Sequence, residues 1–154
     1  IGTAGTINSQ SYNNEFSGRG LNKITIHGQA CPDLLRLAEK GNINDKEKIK
    51  SLAKKCVNPL LGKDIEALIL GCTDFTCVKP ELQSVVGKEV KIIDPAQEVA
   101  KKVKKNLEAA DWENNGLDEK NKFTFYYTNG LPDEVQGFAK NLFNISIDEF
   151  KKVK

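Results

Sequence analysis

Ile65-Glu66-Ala67-Leu68-Ile69-Leu70-Gly71-Cys72-Thr73-Asp74 is the stretch whose reading decides the fold of this chain. The apolar run 65–70 is too brief for a helix and is closed by glycine, which reads as a buried strand of a parallel sheet. Ligands in such sheets bind beyond the carboxyl ends of the strands, and Cys72 stands at that end. The bland alternative is a buried, inert cysteine, since free cysteine is among the most buried residue types.

Working outward, the same alternation of element types continues. Residues 1–12 mix small residues and hydroxyls, as a loop after a strand does, and run into a helix N-terminus at Thr6 to Ser9. Leu21 to His27 alternates apolar Leu21, Ile24 and Ile26 with Lys23, Thr25 and His27, a strand pattern ended by Gly28. Pro32 opens a short helix over 33–40, stopped by Gly41, and Asn44 or Asp45 caps a longer one to about Leu61. Beyond Cys72 come a short helix near 81–86, a strand at 90–93, and a helix from 96 to about 110 behind Asp94-Pro95. A polar loop (111–122), a strand (123–127), a helix from Pro132 to about Phe143 and an amphipathic tail (145–153) complete the chain. Strands alternating with helices predict α/β architecture with a mainly parallel sheet.

Composition narrows the function classes. The chain has 154 residues, enough to bury about two-thirds of its unfolded surface. A net charge of +2 is too slight an excess to argue for nucleic acid or membrane as partner. Four cysteines, with neither a signal peptide nor a membrane-length apolar stretch, favour a reducing cytoplasm and free thiols. No methionine occurs and the chain opens on Ile1-Gly2-Thr3, in the manner of a strand-to-loop passage, so a piece of a longer polypeptide is expected.

The chemistry centres on Cys72. The thiolate is the reactive form, and Asp74, two residues on, opposes it electrostatically while offering a base or an anchor for a substrate amine. Thr3 and Thr6 can present two hydroxyls to a carboxylate or serve as ordinary helix caps. Glu39, ending the helix after Cys31-Pro32, is either a surface residue or an acid near the site, and the lone His27 reads as structural. Gly2-Thr3-Ala4-Gly5 lacks the Gly-Lys-Ser/Thr of a phosphate loop. Cys72 and Cys77 lack the paired spacing of a structural zinc site, so no metal is expected, and no Cys-x-x-Cys points to dithiol redox work.

Taken in order, the segments resemble the C-terminal half of glutamate racemase, in the aspartate/glutamate racemase superfamily. IGTAGTINSQSY (1–12) resembles the family's Gly-Thr-x-x-Thr-x-x-Ser-x-x-Tyr segment, and ACPDLLRLAEKG (30–41) its Ala-Cys-Pro…Glu-x-Gly segment. LILGCTDF (68–75) resembles the second catalytic-cysteine motif, and VKIIDPAQEVAKKV and FYYTNGLPDEVQGFAKNLF fit the family's remaining strand and helices to the C-terminus. The resemblance implies a three-layer α/β/α fold in two lobes, with residues 1–93 as most of the Cys72-bearing lobe. Residues 94–154 would return to the first lobe, whose N-terminal part is absent, and leave Val99, Val103, Leu107, Phe123, Phe125 and Phe138 as an exposed apolar face. It further implies a cofactor-independent, cytoplasmic homodimer that supplies D-glutamate for peptidoglycan.

In such enzymes two cysteines face the α-carbon from opposite sides, because inversion needs the proton to leave one face and arrive on the other. By resemblance Cys72 is the second of them, Thr73 binds the substrate, Thr3 and Thr6 hold its side-chain carboxylate region, Glu39 assists Cys72, and Cys31 and Cys56 are structural. Two departures stand out. The Asp-Ser-Gly, Pro-Tyr-Gly and Cys-Asn-Thr motifs of the N-terminal half do not occur, so this chain lacks the first catalytic cysteine and is expected not to racemise alone. Asp74 replaces the histidine of Gly-Cys-Thr-His; aspartate racemases carry an acid there, which keeps aspartate racemase, or a one-cysteine decarboxylase, as a rival. A non-catalytic amino-acid-binding domain is the rival from another class.

Overall fold

The computed structural model describes residues 1–41, 43–112, 126–128, 132–143 and 150–152. It divides into two compact units, Ile1–Pro95 and Ala96–Lys154.

In the first unit, β1 (Ala67–Ile69) pairs in parallel with β2 (Lys91–Ile93), Leu68 opposite Ile92. Isolated parallel bridges join Gly2 to Gly71 on one side and to Ala30 on the other. The parallel arrangement expected from the alternating pattern is therefore present, with Ile1–Gly2 lying between the end of β1 and Ala30. Helices supply the cover. α1 (Ala4–Asn8) is capped by Thr3, whose hydroxyl accepts the Thr6 N–H, and α2 is Ser11–Gly18. α3 (Pro32–Glu39) has proline in its first turn, where the missing N–H is one that no helix would use. α4 (Lys46–Leu61) is capped by the Asp45 carboxylate, which accepts the Lys48 N–H at 3.0 Å. A 3-10 helix (Thr73–Val78) and α5 (Lys79–Val86) complete the unit.

The core forms where the apolar faces of these helices meet the sheet: Leu34, Ile49, Val57, Leu70, Phe75, Val78 and Leu82 are essentially sealed from solvent. Each contributes roughly 1.5–3 kcal/mol by leaving water. Glu81 is buried beside them, with Lys46 at 2.7 Å from its Oε1.

Two expectations are corrected here. Leu21 to His27 carries no strand pairing among the described residues, although its alternation is that of a strand. The only ladder contacts of this line among the described residues are farther on, at Gln29–Cys31, because alternation makes a strand only where a neighbour accepts its backbone. Nor are all four thiols free: Cys31 and Cys56 form a disulfide. Cys31 sits just before α3 and Cys56 on the buried face of α4, and packing of the two helices brings their Cα atoms to 5.4 Å, within bridging range. Cys72 and Cys77 remain free.

In the second unit, α6 (Pro95–Ala109) is followed by β3 (Tyr126–Thr128), α7 (Pro132–Phe143) and β4 (Phe150–Lys152), with β3 and β4 parallel. This is a strand-helix-strand crossover. Val99, Val103 and Leu107 on α6 are exposed, as expected; Phe123, Phe125 and the side chain of Phe138 lie outside the described residues. Trp112, just beyond the helix, is also exposed.

Candidate active site

The site residues meet at the carboxyl end of β1 because the chain there is tied to its neighbours on both sides. Leu70 N–H donates to Ile93 O at 2.9 Å, and Gly71 N–H donates to Ile1 O at 2.8 Å. A Cβ at Gly71 would stand 2.8 Å from Ile1 O and 3.3 Å from the Tyr12 ring, so only glycine passes at this point. Cys72 comes next, in extended backbone, and precedes the 3-10 helix. That helix is fixed from below by Phe75 and Val78, both fully buried, which leaves Thr73 exposed and Asp74 half-buried at its first turn.

The half-buried Cys72 thiol donates to Asp74 Oδ2 at 3.5 Å. Burial pushes its pKa up; a hydrogen bond from the Asp74 backbone opposes this, while the charge and side-chain hydrogen bond of Asp74 and, more weakly, the charge of Glu39 raise it further. The resting group is thus a thiol. Cys77, whose Sγ donates to Asp74 O at 2.7 Å, is pushed up to about 11 by burial and then by Asp74.

Thr6 reaches Gly71, and Thr3 reaches Thr6. Their hydroxyls lie 3.0 Å apart, and Thr6 Oγ1 donates to Gly71 O at 3.5 Å. Glu39 is exposed at the end of α3. The structure therefore brings Thr6 to Gly71 with Thr3 bonded to it, and pairs Cys72 with Asp74 just beyond the same glycine, with Thr73 between them in sequence and Glu39 felt by the thiol through its charge. His27 lies elsewhere, on the wall of a cleft of about 630 Å³ that does not include Cys72.

Sequence reasoning misses two groups. Asp94 reads only as a helix cap, yet its side chain, 4% exposed, accepts from Thr76 at 3.2 Å and lies 3.8 Å from Lys79 Nζ. It thereby binds both ends of the segment 76–79 to the end of β2; its place at a strand terminus is the signal. Cys77, which the sequence analysis only sets aside as a metal ligand, anchors the Asp74 carbonyl.

A thiol bonded to a carboxylate at a strand end, with a threonine pair bonded to the glycine before it, belongs to an α/β domain with a parallel sheet. Residues 1–103 match the Asp/Glu/hydantoin racemase family, and the chain belongs to that family. It is 34% identical over 150 residues to glutamate racemase 2 of Caldanaerobacter subterraneus subsp. tengcongensis, covering 97% of this chain and 54% of the relative. It is 28% identical over 153 residues to the glutamate racemase of Bacillus cereus, covering 99% and 55%. A crystal structure of a Bacillus anthracis glutamate racemase superposes with a TM-score of 0.80 at 27% identity, over 100% of this chain and 56% of that one. That of the Francisella tularensis enzyme in complex with D-glutamate also gives 0.80, at 22% identity, over 99% and 57%. The chain spans about half the length of the relatives it matches.

Proposed function

We propose that this chain supplies one catalytic face of a glutamate racemase, with Cys72 as an acid/base at the α-carbon. The observation that carries the reading is the Cys72–Asp74 bond just beyond Gly71 at the end of β1, with Thr6, itself bonded to Thr3, reaching the Gly71 carbonyl, in a chain of the racemase family.

Cys72 rests as a thiol, the form that delivers a proton to a planar, carbanion-like α-carbon and becomes a thiolate in doing so. In the opposite direction its thiolate takes the α-proton of L-glutamate. The ammonium of a bound amino acid would offset the Asp74 charge that now opposes the thiolate, which lets substrate binding itself prepare the base. Asp74 orients the Cys72 proton and receives the substrate ammonium; Glu39 adds negative charge that keeps Cys72 protonated until substrate arrives. Thr73, Thr3 and Thr6 donate hydroxyls to the substrate carboxylates. Fixed donors there stabilise charge that develops as the weakly acidic α-proton leaves.

The second acid/base, on the opposite face, belongs to residues beyond this chain. In this reading residues 1–93 are most of one lobe and 94–154 return to the other, and the complete enzyme is a homodimer in the cytoplasm that serves peptidoglycan synthesis. Glutamate is favoured over aspartate by the relatives matched, against the acidic Asp74.

The test is α-proton exchange in D₂O monitored by NMR, using the complete protein with each enantiomer of glutamate and aspartate. Deuterium entering both enantiomers of glutamate, and loss of this in Cys72→Ala with substrate binding retained, is the expected result. No exchange with either amino acid overturns the racemase reading in favour of a binding domain; exchange with aspartate alone transfers it to aspartate racemase.

A further inference from the structure

The segment 73–79 leaves one strand end and is tied down at the next. Cys72 stands just beyond β1 and Asp94 directly after β2, and these two strands run in parallel side by side. The bond from Leu70 N–H to Ile93 O carries their pairing to within two residues of Cys72 and one of Asp94. The 3-10 helix Thr73–Val78 starts at the first of these ends and returns to the second. There the Asp94 carboxylate accepts from the Thr76 hydroxyl at 3.2 Å and lies 3.8 Å from Lys79 Nζ.

A 3-10 helix has three residues per turn, so its side chains stand in three rows. Phe75 and Val78 form one row, sealed in the core; Thr73 and Thr76 form an exposed row; Asp74 and Cys77 form a half-buried one, joined by the bond from Cys77 Sγ to Asp74 O at 2.7 Å. The apolar row holds the helix down. It does not fix the rotation of the helix about its own axis, because hydrophobic contact is non-directional. A hydrogen bond on another row does, and Thr76 makes it to Asp94. A carboxylate whose side chain is only 4% exposed needs donors held firmly against it, which makes this anchor more exact than a surface ion pair. Rotation matters to Cys72, whose thiol donates to Asp74 Oδ2 at 3.5 Å and feels the charges of Asp74 and Glu39.

We propose that Asp94 is a positioning residue for the Cys72–Asp74 pair: by holding Thr76 and Lys79 it sets the rotation of the 3-10 helix, and so the distance from the Asp74 carboxylate to the Cys72 thiol. It acts through Asp74 and not on a substrate. Its place in catalysis rests on the racemase reading, in which the thiol and its carboxylate must keep one geometry while a proton moves in either direction. The coupling itself belongs to the chain and is measured without substrate. Its failure therefore leaves the α-proton exchange result standing, and a failed exchange experiment leaves the coupling to be measured.

The test is a double-mutant cycle in the 154-residue chain. The Cys72 pKa is read from the pH dependence of iodoacetamide alkylation, followed at the Cys72 peptide by mass spectrometry so that Cys77 does not contribute. Asp74→Asn removes the carboxylate charge and shifts this pKa down in the parent. In the Asp94→Ala background the shift produced by Asp74→Asn is expected to shrink by about half or more, because the carboxylate is no longer held against the thiol. Lost stability alone leaves that shift unchanged in the chains that remain folded. If Asp94→Ala does not stay folded, Thr76→Val, at an exposed position, takes its place with the same expectation, and Thr76→Ser, which keeps the donor, should preserve the full shift. An undiminished shift in the folded variant overturns the proposal, even where Asp94→Ala moves the Cys72 pKa by itself, because Asp94 is then only a distant charge. Absence of any shift with Asp74→Asn in the parent also overturns it, since there is then no pair for Asp94 to hold.

Discussion

At the scale of single residues, the balance of charges around Cys72 makes the clearest claims. Asp74 opposes the thiolate through both its charge and its acceptor oxygen, at 3.5 Å. Asp74→Asn is therefore expected to lower the Cys72 pKa, and iodoacetamide at pH 8 should alkylate Cys72 faster in this variant than in the parent. A slower reaction would mean that Asp74 acts as a base for the thiol rather than as a charge against it. Cys77 makes a different prediction. Its folded pKa of about 11 lies above the ordinary 9.0, so the folded state holds the proton more tightly than the unfolded chain does. The stability this adds is complete below pH 9 and fades as pH climbs through about 11. Cys77→Ser keeps a donor for the Asp74 carbonyl and does not titrate there, so its urea midpoint should fall less than the parent's between pH 9 and pH 11.

Among elements, the disulfide from Cys31 to Cys56 fastens α3 to α4 across a sequence separation of 25. Closing a loop of that size adds roughly 3 kcal/mol through the unfolded chain's lost freedom. Urea denaturation with and without a reductant should differ by about that amount, and Cys56→Ser should erase the difference. The sequence made the elements themselves legible through local marks: Pro32 and Gly41 around α3, Asp45 before α4, and Asp94-Pro95 before α6. What it concealed depended on neighbours in space. Residues 21–27 have the pattern of a strand, but pattern cannot say whether a partner lies alongside. The pairing of Cys31 with Cys56 depends on how two helices cross. The candidate site was legible as a set of residues, since Gly-Cys-Thr at a strand end and two threonines near Gly2 are local features. That Thr6 reaches Gly71, and that Asp94 and Cys77 brace the segment behind Asp74, are facts of packing that no spacing rule contains.

At the scale of the whole molecule, α6 presents Val99, Val103 and Leu107 to solvent at four-residue intervals, with lysines between them. A contiguous exposed apolar stripe of this kind binds amphiphilic dyes. ANS fluorescence of the chain should exceed that of a compact protein of similar size, and Val99→Gln with Val103→Gln should cut the excess by roughly half. Fluorescence no higher than the compact reference would mean that the stripe is covered in solution.

The double pairing of Ile1 and Gly2 also bears on the order of assembly. Their partners lie at residues 29–31 and at 69–71, with Ile1 and Ile69 separated by 68 positions along the chain. α3 with α4, and the 3-10 helix with α5, meet across short stretches of chain, whereas the pairing of Ile1 with Ile69 closes a loop of 68 positions, and a longer loop costs more entropy to close. Thr3 and Thr6 ride directly behind it. During synthesis, then, Thr6 can take its place beside Gly71 only after residues 69–71 have been made.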